Sequence, residues 1–212
     1  MDFMNDPEGI ERRSMEIIEE RLHDFPFDPL QKPVIKRVVH TMGDPSFAPL
    51  ILFSPGVVEA GIEALLAGAP IFCDVEMARA GISRPISKEL GIEVGCLIHD
   101  PLVSEQAKEQ GTTRAVAAMR HALKANPEGA IFVIGNAPTA LFVLLEEVEA
   151  GRAKPALVVG VPVGFVGAAE SKEWLTSFTI PWITVQGEKG GSTVAAAIVN
   201  ALLRMAKEKK GA

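Results

Sequence analysis

Tyrosine is absent from the 212 residues, and cysteine and tryptophan occur only twice each. Without a phenol, any proton chemistry must use His, Asp, Glu, Lys or Cys. Cys73 and Cys96 each sit inside an apolar run, with no CxxC spacing and no neighbouring His motif, so they read as buried free thiols. No His/Cys/Asp set has zinc-like spacing, and no protein metal site is expected. Basic charge is also short: 21 Lys and Arg face 27 Asp and Glu, a net charge of −6. That excludes the basic footprint of non-specific nucleic-acid binding. An anionic ligand would have to be held by local arginines and by backbone N–H groups at helix ends. No apolar run reaches the ~18 residues of a membrane span. The polar start, MDFMNDPEGIERR, does not read as a secretory signal, so the cytoplasm is the expected compartment. The Walker pattern GxxxxGK[ST] is missing, and Gly160, Gly164 and Gly167 are wrongly spaced for GxGxxG, which disfavours a nucleotide site. Nothing resembles a linker, and residues 1–212 are read as one domain.

What is present is an alternation of short apolar runs and amphipathic stretches. Two helices open the chain. The first starts at Asp6-Pro7. The second starts at Asp28-Pro29 and ends at Gly43. Asp44-Pro45 makes the next turn. Strands are then expected at 50–53, 71–73, 94–98, 131–134, 157–159 and 182–185. Helices are expected at 57–66, 104–123, 140–150, 168–175 and 193–207. Strands apolar on both faces, separated by helices, predict a three-layer, doubly wound α/β fold. Its mostly parallel sheet would have about six strands, helices on both faces and two N-terminal helices.

In such a sheet, ligands bind beyond the carboxyl ends of the strands. Unusual residues gather there: Phe53-Ser54-Pro55-Gly56, Asp74-Val75-Glu76, Gly135-Asn136-Ala137-Pro138-Thr139, Gly164-Phe165-Val166-Gly167 and Gly187-Glu188-Lys189-Gly190-Gly191-Ser192. One such loop could be ordinary turn chemistry; five on one edge suggest a site.

Five stretches together resemble the precorrin-8X/cobalt-precorrin-8 methylmutase family. They are Arg13-Ser14 with Met15-Glu16-Ile17-Ile18; Arg37-Val38-Val39-His40; the run from Gly68 to Met77; Gly135-Asn136-Ala137-Pro138-Thr139-Ala140-Leu141-Phe142; and the run from Gly160 to Lys172. The resemblance covers all but the first few residues and the Lys-rich tail. Ser83-Arg84 stands where the family often has Thr-Arg, a change that keeps a hydroxyl.

The resemblance implies an isomerase that moves a methyl group from carbon 11 to carbon 12 of a corrin-type macrocycle rimmed with carboxylates. The product is hydrogenobyrinic acid, or cobyrinic acid if cobalt is present. It also implies no external cofactor, and a homodimer with the site near the subunit interface. His40 matches the family's active-site histidine, which protonates the macrocycle before a sigmatropic shift. Its place at a helix carboxyl end favours a cation by ~0.3–1 kcal/mol. Arg13, Ser14, Ser83, Arg84, Thr113 and Arg114 are the expected ligand contacts, since Arg suits bidentate carboxylate recognition. Asn136, Thr139 and the amides of Gly164 to Gly167 could hold further polar groups. Asp74 and Glu76 would repel a polycarboxylate, and are expected to orient arginines or cap a helix. His99 could lie near the site, whereas His23 and His121 have no such support. The alternative is a non-catalytic tetrapyrrole-binding or carrier protein, which would share the pocket but not need His40.

Overall fold

The computed structural model describes residues 6–26 and 28–211, so the polar start Met1 to Asn5 lies outside the described residues. Six short strands form one sheet: β1 (Ile51–Phe53), β2 (Ile71–Cys73), β3 (Val94–Cys96), β4 (Ile131–Ile134), β5 (Leu157–Gly160) and β6 (Trp182–Val185). Their order is β1-β6-β5-β4-β2-β3. All neighbours run parallel except β1, which pairs antiparallel with β6.

The apolar runs explain the layers. Alternate strand residues point to opposite faces. Ile131 and Val133 of β4, Leu157 and Val159 of β5, and Ile183 and Val185 of β6 enter one core. Phe132, Ile134, Val158 and Trp182 enter the other. Each fully buried Leu, Ile or Val contributes about 1.5–3 kcal/mol, so both faces need cover. The first face is covered by α2 (Lys32–Met42), α3 (Val57–Leu66), α4 (Glu76–Gly81), α5 (Arg84–Leu90) and α10 (Ser192–Gly211). The second is covered by α7 (Arg114–Ala125), α8 (Pro138–Glu149) and α9 (Ala168–Thr176). α1 (Pro7–Arg21) packs on α2, and α6 (Pro101–Glu109) packs on α7.

Four expectations are corrected. The helix expected at 104–123 is two helices. Gly111, at φ +60°, ends α6: its N–H reaches the Lys108 carbonyl, and the Thr112 N–H reaches that of Ala107. Thr113 then caps α7 by accepting from the Val116 N–H. The second N-terminal helix begins at Lys32, because Asp28 caps a preceding turn through the Leu30 N–H. β3 stops at Cys96. Finally, α4, α5 and a 3-10 segment, Pro45–Leu50, were not anticipated, being too short to show a helical period.

The antiparallel strand has a topological effect. Ile51, the first residue of β1, lies beside Val185, the last residue of β6. The chain that enters β1 therefore comes from the edge where the parallel strands end. That chain is the end of α2, its cap Gly43 at φ +63°, and the 3-10 segment. His40 thus shares an edge with the glycine loops.

Candidate active site

His40 lies in the last turn of α2 and is half-buried. Its Nδ1 is sealed from solvent and, among the described residues, has no hydrogen-bond partner, whereas Nε2 is not such a sealed, unpaired atom. An unmet buried polar group costs about 1–3 kcal/mol, so packing rather than hydrogen bonding fixes the ring. Nε2 is then the nitrogen free to meet a ligand. Thr41, the next residue, lines a cleft of about 330 Å³ with Ser83, Thr193, Asn200 and Arg204. Ser83 is placed there because its N–H donates to Asn200 Oδ1 at 2.7 Å, while Asn200 Nδ2 donates to the Gly81 carbonyl. Arg84 is exposed and lines a wider groove, about 600 Å³, with Arg79 and Lys88 beside edge strand β3.

A second group lies on the other face of the sheet, where α7 and α8 begin. Thr113 Oγ1 is 3.5 Å from Thr139 Oγ1, which joins the two helix starts. Arg114 is exposed and, among the described residues, has no hydrogen-bond or ion-pair partner. Asn136 projects its side chain to solvent. Its backbone is not free, because Asp74 holds the whole turn: its carboxylate accepts from the N–H groups of Gly135 (3.0 Å), Asn136 (2.8 Å) and Ala137 (2.7 Å). Burial pushes the Asp74 carboxyl above the usual range, and the three N–H groups pull it back part of the way. Glu76 receives Arg79 Nε at 2.6 Å, so both acidic residues organise the edge rather than face a ligand.

The glycine amides are only partly available. Gly167, at φ +76°, caps α9. Gly164 donates its N–H to the Glu188 carbonyl at 3.1 Å, so that amide is already engaged. Between them Phe165 and Val166 are 87% and 89% exposed, and Met77 and Leu102, after β2 and β3, are exposed too. Apolar side chains left in water on one edge suit a flat apolar surface or a second copy of the chain.

Arg13 and Ser14 join neither group. Arg13 is paired with Glu16 (3.0 Å) and Glu20 (3.5 Å) of its own helix, and Ser14 Oγ bonds the Ile10 carbonyl. His99 is exposed just before Asp100, which caps α6. Burial raises both thiols, Cys96 to about 11 and Cys73 further. Among the described residues no cluster of three His, Cys, Asp or Glu side chains could hold a metal. Among them, too, no helix is long and apolar enough to cross a membrane.

One residue was overlooked. Lys172 is 1% exposed, and its Nζ donates to the Lys189 carbonyl at 2.6 Å. The period of α9 contained the signal: Ala168, Ser171, Lys172 and Leu175 form its buried stripe, and a lysine on such a stripe is anomalous.

A half-buried histidine, two helix starts joined by Thr113 and Thr139, and an apolar rim gather along the carboxyl edge of a doubly wound α/β sheet, the edge on which such folds bind ligands. The family profile described as precorrin-8X methylmutase matches residues 9–205. The cobalt-precorrin-8 methylmutase of Priestia megaterium is 45% identical over 92% of this chain and 87% of its own. The precorrin-8X methylmutase of Pseudomonas aeruginosa is 44% identical over 95% and 97%. The crystal structure of precorrin-8X methylmutase from Thermus thermophilus superposes with a TM-score of 0.89, at 41% identity, covering 95% of this chain and 97% of that one. The chain belongs to the precorrin-8X/cobalt-precorrin-8 methylmutase family. It is an enzyme, an isomerase that transfers a methyl group within one molecule.

Proposed function

We propose that residues 1–212 form one methylmutase domain that acts on precorrin-8X or cobalt-precorrin-8. His40 lends a proton from Nε2 to the conjugated macrocycle. The methyl then breaks its bond to carbon 11 and forms one to carbon 12, and the proton is returned. Nothing is oxidised or reduced and the mass is unchanged, so no external cofactor enters. The protein supplies proton delivery and positioning. The observation that carries this reading is the His40 ring, with one nitrogen sealed and the other open on the edge that bears the ligand groups. Incubation with precorrin-8X and with cobalt-precorrin-8, followed by absorption spectra and mass measurement, tests it. Isomerisation changes the spectrum at constant mass. A carrier protein would shift the spectrum only in stoichiometric proportion, and His40 would be dispensable.

The substrate carboxylates fall to the arginines. Arg114→Ala should weaken ligand binding about ten- to hundredfold, since a hydrogen bond to a charged group contributes about 1.5–3 kcal/mol. Titration of the folded variant checks this, and an unchanged curve would place Arg114 outside the site.

Arg13 and Ser14 contribute only if the site is shared between subunits, because within one chain they face away. The reading is therefore a symmetric homodimer, in the cytoplasm, with α1 of one subunit completing the site of the other. Mixing inactive His40→Ala chains with inactive Arg13→Ala chains should restore activity in part, because one site of each mixed dimer would keep both residues. If both residues of a site come from one chain, the mixture stays inactive. Sedimentation as a monomer ends the proposal.

A further inference from the structure

The loop Gly187 to Gly191 connects β6 to α10. Gly187, Gly190 and Gly191 have φ of +72°, +152° and +117°, a region side chains avoid. A Cβ on Gly190 would lie 2.2 Å from the Val161 carbonyl oxygen, so only glycine lets the two loops meet there. A glycine-rich loop has little stiffness of its own. Its geometry is set by what holds it.

Contacts on three sides do so. The Gly164 N–H donates to the Glu188 carbonyl, and the Gly191 N–H donates to the Val161 carbonyl at 2.8 Å. On the outside, Lys189 Nζ reaches Ser46 Oγ (3.4 Å) and Asp44 Oδ2 (4.0 Å), over the ring of Phe47. From below, Lys172 Nζ donates to the Lys189 carbonyl. The loop thus bridges the Val161 to Gly167 loop and the start of the 3-10 segment that follows α2, where Asp44 and Ser46 lie four and six residues beyond His40. Thr193, at the start of α10, also reaches Met42 Sδ at 3.9 Å.

Lys172 is the buried member of this set. Removing an ammonium from water is costly, and here one of its three donors is satisfied by a protein partner. A methionine would fill the same space without that cost. What the lysine adds is a directed, charge-assisted bond to one carbonyl.

We propose that Lys172 is a positioning residue of the methylmutase site: from inside the fold it sets the Gly187 to Gly191 loop, and through that loop the end of α2 that carries His40. The proposal rests on the assignment of His40 above. Burial also lowers the Lys172 ammonium to about 8, against a weaker opposing pull from Glu188. The cleft it lines is otherwise made, among the described residues, by neutral groups, Leu52 from β1, Thr184 from β6 and Gln186 after it, with Glu173 on its own helix as a further charge. Lys189 points its ammonium away, to Asp44. As pH rises through about 8 the proton is lost and the bond weakens, so the wild-type kcat should fall there.

The test is Lys172→Met. The variant should fold, as judged by circular dichroism and thermal unfolding. Its kcat should be about ten- to hundredfold lower, the scale of a small misplacement of a catalytic group, and its profile should lack the limb near pH 8. A kcat within twofold of wild type, or a limb that persists, overturns the proposal. A ligand-free measurement covers the case of a misfolded variant. In NMR spectra of the wild-type protein, the amides of Gly191 and Met42 should titrate together near pH 8. Amides that do not move overturn the proposal whatever the variant does. Wild-type turnover, measured alongside, reports separately on the assignment of function: absent turnover with titrating amides would remove the methylmutase reading and leave the tether.

Discussion

His40→Ala should lower kcat by about a hundred- to ten-thousandfold, the range that general acid–base groups contribute, with fold and product binding retained. The ring is only half-buried, and its sealed Nδ1 gains no hydrogen bond. Losing it therefore removes an unmet polar group along with some packing, and the two effects on stability partly cancel. His40→Gln separates proton transfer from hydrogen bonding, since an amide N–H can donate a hydrogen bond but not deliver a proton at neutral pH. Both variants should be inactive in the spectral assay and should still bind product in titrations. Wild-type turnover by His40→Gln would mean that the residue only orients the macrocycle, and wild-type turnover by His40→Ala would remove it from the mechanism.

Asp74→Ala should be the most destabilising single substitution at the site. It strips the shared acceptor from three N–H groups, those of Gly135, Asn136 and Ala137, at a residue that is 2% exposed. Each unmet buried donor costs about 1–3 kcal/mol, and the effects are not additive, so the expected loss is about 3–5 kcal/mol. For a protein of this size that is roughly 6–20 °C in Tm. Asp74→Asn should recover only part, because its NH2 would face one of the donors. Thermal unfolding decides the matter. A shift under about 1 kcal/mol would mean that water replaces the carboxylate and that the turn before α8 is held by other contacts.

The alternation of apolar strands and amphipathic helices was legible because both sheet faces are covered and each strand is apolar throughout. The direction of β1 was not. Three residues carry no directional pattern, and the antiparallel pairing follows from a connection, the 3-10 segment, that is too short to read. The break in the helix expected at 104–123 was written in Gly111 and Thr113, a stop and a start, but the apolar period ran past them. At the site, the residue types could be read and the partnerships could not. Asp74 meets residues 61 to 63 positions away, and Thr113 meets Thr139 across 26. Charge balance predicted that Asp74 would avoid the ligand and orient an arginine or cap a helix, without saying that it would hold the turn before α8. Lys172 was hidden differently: an amphipathic reading assigns a lysine to solvent by default.

The pairing of β1 with β6 also orders events in time. Chains emerge from the ribosome amino end first, and early segments can settle only against what already exists. β1 has β6 as its sheet neighbour, and α2 packs mainly on α10, both made near the end of synthesis. The histidine is translated among the first fifty residues, yet the main packing partner of its helix is the last helix to be made. A nascent or truncated chain that lacks β6 and α10 would keep only the contacts of α2 with α1 and the 3-10 segment, so the edge that carries His40 would be incompletely packed.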